Sequence, residues 1–231
     1  MAITEVIFPK LKPDQALLKQ LAATLPTAAK TTFSGVPGLS SYYRGKVIEA
    51  QNVSQAAKLD HSGLVLVLEW DKISSFNSFW VSEGFADFRS VMKPFMLSPV
   101  SPDLFYSNLP DSGSTTTSNY TQYIKVENLG SEDKSVENSW RNLTREIGLD
   151  AKSFHAWGVQ ESDGAFMGML GWSSLEVCWF QSILTQRSYN ITNRAQTLKS
   201  KNKKESVMKA LHQLTKHGDV TAFVLELSRQ S

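Results

Sequence analysis

Residues 64–80, LVLVLEWDKISSFNSFW, carry the strongest structural signal in the chain, because their pattern returns in residues 165–180, AFMGMLGWSSLEVCWF. Each stretch begins as an apolar strand, ends that strand in a tryptophan (Trp70 or Trp172) and continues through polar residues into an amphipathic helix. A pattern that recurs in this way is typical of one supersecondary unit present twice. We therefore predict two similar halves.

The residues around the repeat predict the same order of elements in both halves. In the first half the predicted strands are residues 4–8, 41–48, 64–70 and 104–106. One predicted helix starts at Asp14 and stops at Pro26, and a second helical segment spans residues 74–96. In the second half the predicted strands are residues 121–126, 153–160, 165–172 and 221–227. Residues 111–119 contain no apolar side chain, which predicts a flexible surface linker. The predicted domains are therefore residues 1–110 and 120–231.

The composition limits the classes of function. The chain has 231 residues, of which 41% are hydrophobic and 10% aromatic, so it can bury a core. A net charge of +2 argues against nucleic acid or an anionic membrane as a partner. The single cysteine, Cys178, and an N-terminus without a basic and apolar leader predict a cytoplasmic protein.

Signatures of metal and cofactor binding are missing from the sequence. It contains no His-x-x-x-His pair, no cysteine cluster, no phosphate-binding glycine loop and no Gly-x-Ser-x-Gly elbow. We therefore predict an activity without metal or cofactor.

The segments WDKISSF (residues 70–76) and SEGFADFR (residues 82–89), followed by Pro94-Phe95, resemble one part of the dimeric α/β-barrel superfamily, where the third strand leads into the second helix. This superfamily includes antibiotic-biosynthesis monooxygenases, stress-responsive barrel proteins and polyketide cyclases. The resemblance implies an α+β fold: tandem ferredoxin-like β-α-β-β-α-β repeats that form an intramolecular dimeric α/β-barrel. Tandem forms are familiar from fungal proteins, often beside secondary-metabolite pathways.

The resemblance also raises the question of haem, because some members of the superfamily bind iron through a helical histidine. In this chain His212 and His217 lie in a lysine-rich region instead, and no haem site is predicted.

His155 is the main candidate for catalysis. It lies inside a predicted strand, and an imidazole can donate or accept a proton near neutral pH. Alternation places Trp157 on the same face as a substrate-binding wall. If Gly45 is aligned with Gly158, Tyr42 corresponds to His155 as a second catalytic candidate, and Arg44 corresponds to Trp157. The alternative is that His155 is a hydrogen-bonded core residue.

Two further sets of candidates complete the predicted site. Glu69 interrupts an apolar strand, so it lies either at the exposed end of the strand or in a place where burial tunes it for proton transfer. The predicted substrate-binding residues, beyond Trp157 and Arg44, are Tyr123, Trp80, Phe85, Trp172 and Trp179. The aromatic residues can equally be plain core, but their density favours an apolar polycyclic or polyene-like ligand.

Three functions remain open from the sequence. The first is a cofactor-free cyclase or isomerase that acts on an apolar polyketide- or terpenoid-type intermediate by holding its shape and assisting proton transfer. The second is a cofactor-independent monooxygenase or decarboxylase on a phenolic substrate. The third is a non-catalytic stress-response or small-molecule-binding protein. The expected assembly is a monomer with an internal pseudo-dimer, or a homodimer.

Overall fold

The computed structural model describes residues 1–55, 57–58, 63–107, 112–129, 134–175 and 205–230. The strands are β1 (Ala2–Ile7), β2 (Leu39–Asn52), β3 (Ala57–Lys58), β4 (Leu64–Trp70), β5 (Asp103–Ser107), β6 (Tyr120–Glu127), β7 (Ser153–Gly158), β8 (Phe166–Trp172) and β9 (Asp219–Arg229). The helices are α1 (Gln15–Phe33), α2 (Ile73–Trp80), α3 (Glu83–Met92), α4 (Gly113–Thr116), α5 (Lys134–Ile147) and α6 (residues 205–214). Within these ranges no helix is long and apolar enough to cross a bilayer.

The strands form a closed barrel from two equivalent four-stranded sheets. The first half has the order β2-β4-β1-β5 and the second has β7-β8-β6-β9, which is the ferredoxin-like arrangement in both cases. Strand β5 pairs with β7 and strand β9 pairs with β2, so the eight strands close on themselves. The fold is therefore the α+β, tandem ferredoxin-like barrel that the sequence predicts.

The two junctions between the halves differ in length. The β2–β9 junction runs from the pair Tyr43–Arg229 to the pair Asn52–Thr221. Where the structure describes it, the β5–β7 junction contains the two pairs Phe105–Gly158 and Tyr106–Trp157. The two halves are thus joined by a long strand pairing on one side of the barrel and by a short one on the other.

Both faces of the sheet are buried, as the five consecutive apolar residues at the start of β4 predict. Side chains such as Val67, Phe105, Tyr123 and Met167 fill the barrel interior. The outer faces pack against the helices in two separate clusters, one in each half.

Helix α1 begins where predicted and ends later than predicted. The Asp14 carboxylate accepts hydrogen bonds from the backbone N–H groups of Ala16 and Leu17, which caps the helix. The expected stop at Pro26 is wrong, because the helix continues to Phe33. The buried side chains of Ala29 and Phe33 extend the apolar stripe, and their packing offsets the backbone hydrogen bond that proline cannot make.

The composition of residues 111–119 predicts a flexible surface linker between the halves. The structure describes residues 112–119 of this segment, and part of it is buried. Ser112, Thr115 and Thr116 are buried. The hydroxyl groups of Thr115 and Thr116 donate to the Ser112 carbonyl at 2.6 and 3.2 Å, and the backbone turns once as α4. Because these hydroxyls have internal partners, a polar composition is compatible with burial here. The domain limits themselves stay a prediction.

Candidate functional site

A cavity of about 650 Å³ lies in the first half, between the outer face of the sheet and helices α2 and α3. Strand β4 explains its apolar floor, because alternation directs Leu64, Leu66 and Leu68 toward the helices and the intervening valines into the barrel. The other apolar walls come from α1, α2, α3 and the following loop, including Phe33, Phe79, Trp80, Phe85, Phe88, Met92 and Met96. We call this the first-half cavity.

Among the described residues Glu5 is the single acidic side chain that lines this cavity. It lies on β1 with 2% of its surface exposed, and its carboxylate accepts a hydrogen bond of 2.8 Å from the indole N–H of Trp70. Burial raises the pKa of Glu5 to about 7, and the indole hydrogen bond opposes part of that rise. At neutral pH this carboxyl group can therefore either accept or give up a proton.

Sequence reasoning missed Glu5. A signal was present, since Ile3, Glu5 and Ile7 alternate along one face of the first strand. A carboxylate between two isoleucines on a core-facing side is costly to bury unless it is paired or protonated. The run Thr4-Glu5 hides this signal, because two adjacent polar residues resemble an exposed strand end.

Trp80 and Phe85, both predicted to bind substrate, do lie in the wall of the first-half cavity. Their ring centroids are 4.6 Å apart. The guanidinium of Arg89 lies 5.1 Å from the Phe85 ring centroid and 5.9 Å from that of Trp80, at cation–π distance. The cavity therefore has an aromatic wall with a cation held against it.

Glu69, a predicted catalytic residue, lies on the opposite face of the sheet from Glu5. It pairs with Thr4, one position from the pair of Glu5 with Leu68, so its side chain enters the barrel interior. It is buried, accepts a 3.0 Å hydrogen bond from the Thr4 hydroxyl, and accepts a second from the hydroxyl of Ser112. The expectation that Glu69 lies at an exposed strand end is therefore wrong. Glu69 also does not line the first-half cavity.

The predicted pair Tyr42 and Arg44 is divided between two places. Tyr42 is buried against the ring of Phe33, with 4.7 Å between centroids, and its hydroxyl has no hydrogen-bond partner among the described residues. Burial raises the pKa of Tyr42 to about 12, so the phenol stays protonated. Arg44 instead lines a second cavity of about 430 Å³, between α1 and the β2–β9 junction. Neither residue lines the first-half cavity.

His155 and Trp157 share a face of β7, and both pack on Phe166, with ring centroids 5.8 and 5.3 Å from it. The imidazole Nε2 lies 3.3 Å from a carboxylate oxygen of Glu137 on α5. Burial lowers the pKa of His155, although the Glu137 carboxylate acts in the opposite direction. Neither His155 nor Trp157 lines either of the two cavities.

The expected correspondence between Tyr42 and His155 is wrong by two residues. Strands β4 and β8 can be aligned through the tryptophans at their ends. Leu66 and Gly168 each lie four residues before that tryptophan, so they are equivalent. Leu66 pairs with Arg44, and Gly168 pairs with His155. His155 therefore corresponds to Arg44. An alignment on glycines fails because strand register follows from backbone pairing.

Two of the remaining binding candidates, Tyr123 and Trp172, lie away from the cavities. Tyr123 is fully buried in the barrel interior beside Phe8, burial raises the pKa of its phenol well above 10, and its hydroxyl has no partner among the described residues. Trp172 is a core residue whose indole N–H donates to Gln122 at 3.1 Å. Trp179 lies outside the described residues.

As far as the described residues line them, the two cavities do not fit a haem bound through a histidine, because none of those lining residues is a histidine. His212 is exposed on α6, and the ring nitrogens of His217 lie 3.2 and 2.9 Å from the hydroxyls of Ser135 and Ser139. His61 lies outside the described residues. Within the described part of the chain there is also no group of three or more His, Cys, Asp or Glu residues that could hold a metal ion.

Solved structures share this architecture at low sequence identity. An anthrone oxidase-like protein superposes with a TM-score of 0.60 and 10% identity, covering 100% of this chain and 92% of that one. A candidate monooxygenase from Fusobacterium nucleatum gives 0.58 at 8% identity, with 100% and 94% coverage. A mutant chlorite dismutase from Candidatus Nitrospira defluvii gives 0.57 at 8% identity, with 98% and 91% coverage. No family model and no curated protein matches the sequence.

These similarities extend over the whole chain, so they concern the complete two-half barrel and not one repeat. At 8–10% identity they show the fold alone. The chain shares the ferredoxin-like barrel fold of these proteins.

Proposed function

We propose that this protein is a cofactor-independent monooxygenase that acts on an apolar, phenolic polycyclic substrate in the first-half cavity, with Glu5 as the general base. The observation that carries the proposal is one carboxyl group, with a pKa of about 7, among the apolar side chains of the sheet wall of the cavity. General bases work best when their pKa lies near the working pH. The buried, desolvated position of Glu5 provides this condition.

The proposed reaction begins with a proton transfer. The Glu5 carboxylate removes a proton from a CH2 group flanked by aromatic rings, and the electron pair that remains is delocalised over those rings. This carbanion reduces O2 by electron transfer, and the two combine to form a hydroperoxide after the proton returns. Loss of one water then leaves a C=O group. One CH2 and one O2 thus give one C=O and one H2O, with the substrate as reductant and O2 as oxidant.

The shape of the cavity supports a polycyclic substrate. Its volume of about 650 Å³ lies within the range of roughly 300–1,000 Å³ that is usual for small-molecule sites. Trp80, Phe85 and Phe79 supply flat aromatic surfaces, which stack well on fused rings. The name of the anthrone oxidase-like neighbour is compatible with such a substrate.

A cyclase or isomerase is the second candidate, because the same carboxyl group can serve it. Glu5 is the one acidic group that the described residues place in the cavity wall, and a carboxyl that takes a proton from one carbon can return it to another. In secondary-metabolite biosynthesis this reaction would rearrange a polyketide- or terpenoid-type intermediate without consuming O2. A non-catalytic binding protein would bind the same ligands with no turnover.

One experiment separates these functions. With 1,8-dihydroxyanthrone as the probe in aerated buffer, we expect O2 uptake above the uncatalysed rate, with one O2 consumed for each quinone formed. In D2O under nitrogen, we expect the protein to accelerate exchange of the CH2 hydrogens. Accelerated exchange without O2 uptake would favour an isomerase, and binding with neither effect would contradict an enzymatic role for Glu5 toward this substrate class.

A further inference from the structure

The mouth of the first-half cavity carries positive charge. Arg89 on α3 and Lys93 in the turn that follows both line the cavity, and both are exposed. Apart from the buried Glu5, no acidic side chain in the described part of the chain lines the cavity. The charges are therefore divided, with a carboxyl group in the sheet wall and two cations on the helix side near solvent.

Arg89 is held in place without using its hydrogen-bond donors. Its guanidinium lies over the rings of Phe85 and Trp80, at 5.1 and 5.9 Å from their centroids. A cation–π contact does not use up the N–H donors of a guanidinium. Among the described residues the guanidinium of Arg89 has no ion-pair or hydrogen-bond partner. Its N–H donors are thus available to a ligand at the mouth.

We infer that the substrate of the first-half cavity bears a carboxylate at the edge of its apolar ring system, and that Arg89 binds this carboxylate at the mouth. The inference rests on the proposed function, since it names the substrate class of the same site. A planar guanidinium can bind a carboxylate through two parallel N–H donors, which fixes direction as well as position. Such an anchor would determine which carbon of the ring system lies against Glu5.

The competing explanation is that Arg89 only covers apolar surface. Long cationic side chains often lay their stems along aromatic rings while the charged group stays in water. That role gives no preference between a charged and a neutral ligand, so a pair of matched probes tests the difference.

The probes are anthraquinone-2-carboxylate and 2-(hydroxymethyl)anthraquinone, which share a ring system and differ in charge. Binding to the full chain is followed by titration calorimetry at low ionic strength. We expect the carboxylate to bind roughly tenfold more tightly than the alcohol, as is reasonable for a charge-assisted pair that is partly exposed to solvent. Raising the salt concentration should reduce this preference.

Matched variants assign the preference to one side chain. Arg89→Gln should remove most of the preference and leave the affinity for the alcohol within about twofold. Arg145→Gln removes an exposed arginine from α5 in the other half and should change neither affinity. Lys93→Gln should have a smaller effect than Arg89→Gln, because no ring holds Lys93 against the cavity.

The outcomes distinguish this inference from the proposed function. Equal binding of the two probes to the unmodified protein, or an unchanged preference in Arg89→Gln, overturns the carboxylate inference alone. Ala86→Trp places a large ring in the cavity wall and should weaken both probes. If both probes bind Ala86→Trp as well as the unmodified protein, or if neither probe binds at all, the first-half cavity is not the binding site and both proposals are wrong.

Discussion

In the first half of the barrel the indole of Trp70 donates to a carboxylate, Glu5, whereas in the second half the indole of Trp172 donates to an amide, Gln122. The two acceptors hold the same place, because Glu5 pairs with Leu68 and Gln122 pairs with Leu170, each two residues before its tryptophan. The hydrogen bond is thus common to both halves. The ability to exchange a proton near neutral pH belongs to the first half alone at this position.

A second difference concerns the space above the sheet. In the second half Trp140 of α5 lies directly over Gly168, where an added Cβ would approach its ring to 2.5 Å. The equivalent position in the first half is Leu66, which lines the cavity. The same architecture thus holds a packed ring at one site and a cavity at the other. The segment of the second half that corresponds to α2 lies outside the described residues.

The largest expected effect comes from making the first half resemble the second. Glu5→Gln retains an acceptor for the Trp70 indole but cannot take a proton, so we expect the catalytic rate to fall by roughly a hundredfold or more while ligand binding persists. Steady-state kinetics and calorimetry with the same probe measure the two effects. The reciprocal variant, Gln122→Glu, should not increase the rate. A Glu5→Gln variant with full activity would contradict the role of Glu5 as base.

The pH dependence of Glu5 provides a related test. Its folded pKa of about 7 exceeds the ordinary value of 4.5, so the folded state binds more protons between these two values. Stability therefore falls as pH rises through this window, by about 3 kcal/mol in total, and stays lower above it. The rate should rise over the upper part of the same window, as the carboxylate forms. Glu5→Gln should remove both trends, measured by denaturant unfolding and by kinetics.

Gly168→Ala tests the packing difference. The new Cβ would overlap the buried ring of Trp140, so we expect a loss of roughly 1–3 kcal/mol in the free energy of unfolding, with the rate in the other half unchanged. Gly84→Ala in α3 is the matched control, because its Cβ would meet open space. It should leave stability equal or raise it by up to ~1 kcal/mol. Equal effects of the two substitutions in chemical denaturation would contradict this account.

Trp70→Phe should change the pH profile more than the maximal rate. Loss of the indole donor removes the contact that lowers the pKa of Glu5, so the rate profile should move to higher pH by roughly one unit. Trp172→Phe removes a ring of the same size beside Gln122, which does not titrate, and should leave the profile unmoved. A shift common to both variants would indicate a general effect of lost packing.

His155→Ala has the smallest expected effect on catalysis. His155 contacts Glu137 and Phe166 and lines neither cavity, so we expect the rate to stay within about twofold, together with a modest loss of stability. A fall of a hundredfold with intact folding would restore His155 as a catalytic residue and place the active site in the second half.

Much of the fold follows from local patterns in the sequence. The repeated strands that end at Trp70 and Trp172 predict the duplication, and the five consecutive apolar residues at the start of β4 predict burial on both faces. Trp80 and Phe85 were identified because aromatic residues at helical spacing lie on the sheet-facing side of α2 and α3.

The chemistry was harder to predict because it depends on distant contacts. Glu5 acquires its raised pKa from burial beneath helices more than 65 residues away in sequence, and Glu69 finds its partner in Ser112, a residue of the supposed linker.

The register of the strands explains why the sequence comparison matched His155 with the wrong residue of the first half. His155 was matched with Tyr42 through two glycines, but glycine is common at strand ends for different reasons, and a shift of two residues preserves the face while changing the neighbours. Pairing of β7 with β8 places His155 level with Arg44. Such pairing is a property of the assembled sheet and has no local signature in the chain.

The unequal junctions of the barrel have a mechanical consequence. Backbone hydrogen bonds along β2 and β9 tie the chain's last strand to its first half over most of their length, whereas β5 and β7 meet over two residue pairs. Transient separation of the strands requires the fewest broken bonds at β5 and β7, so we expect this edge to exchange its amide hydrogens first. Opening there would let the two sheets pivot about the β2–β9 edge as a hinge, with the first-half cavity and its Glu5–Trp70 contact carried along intact.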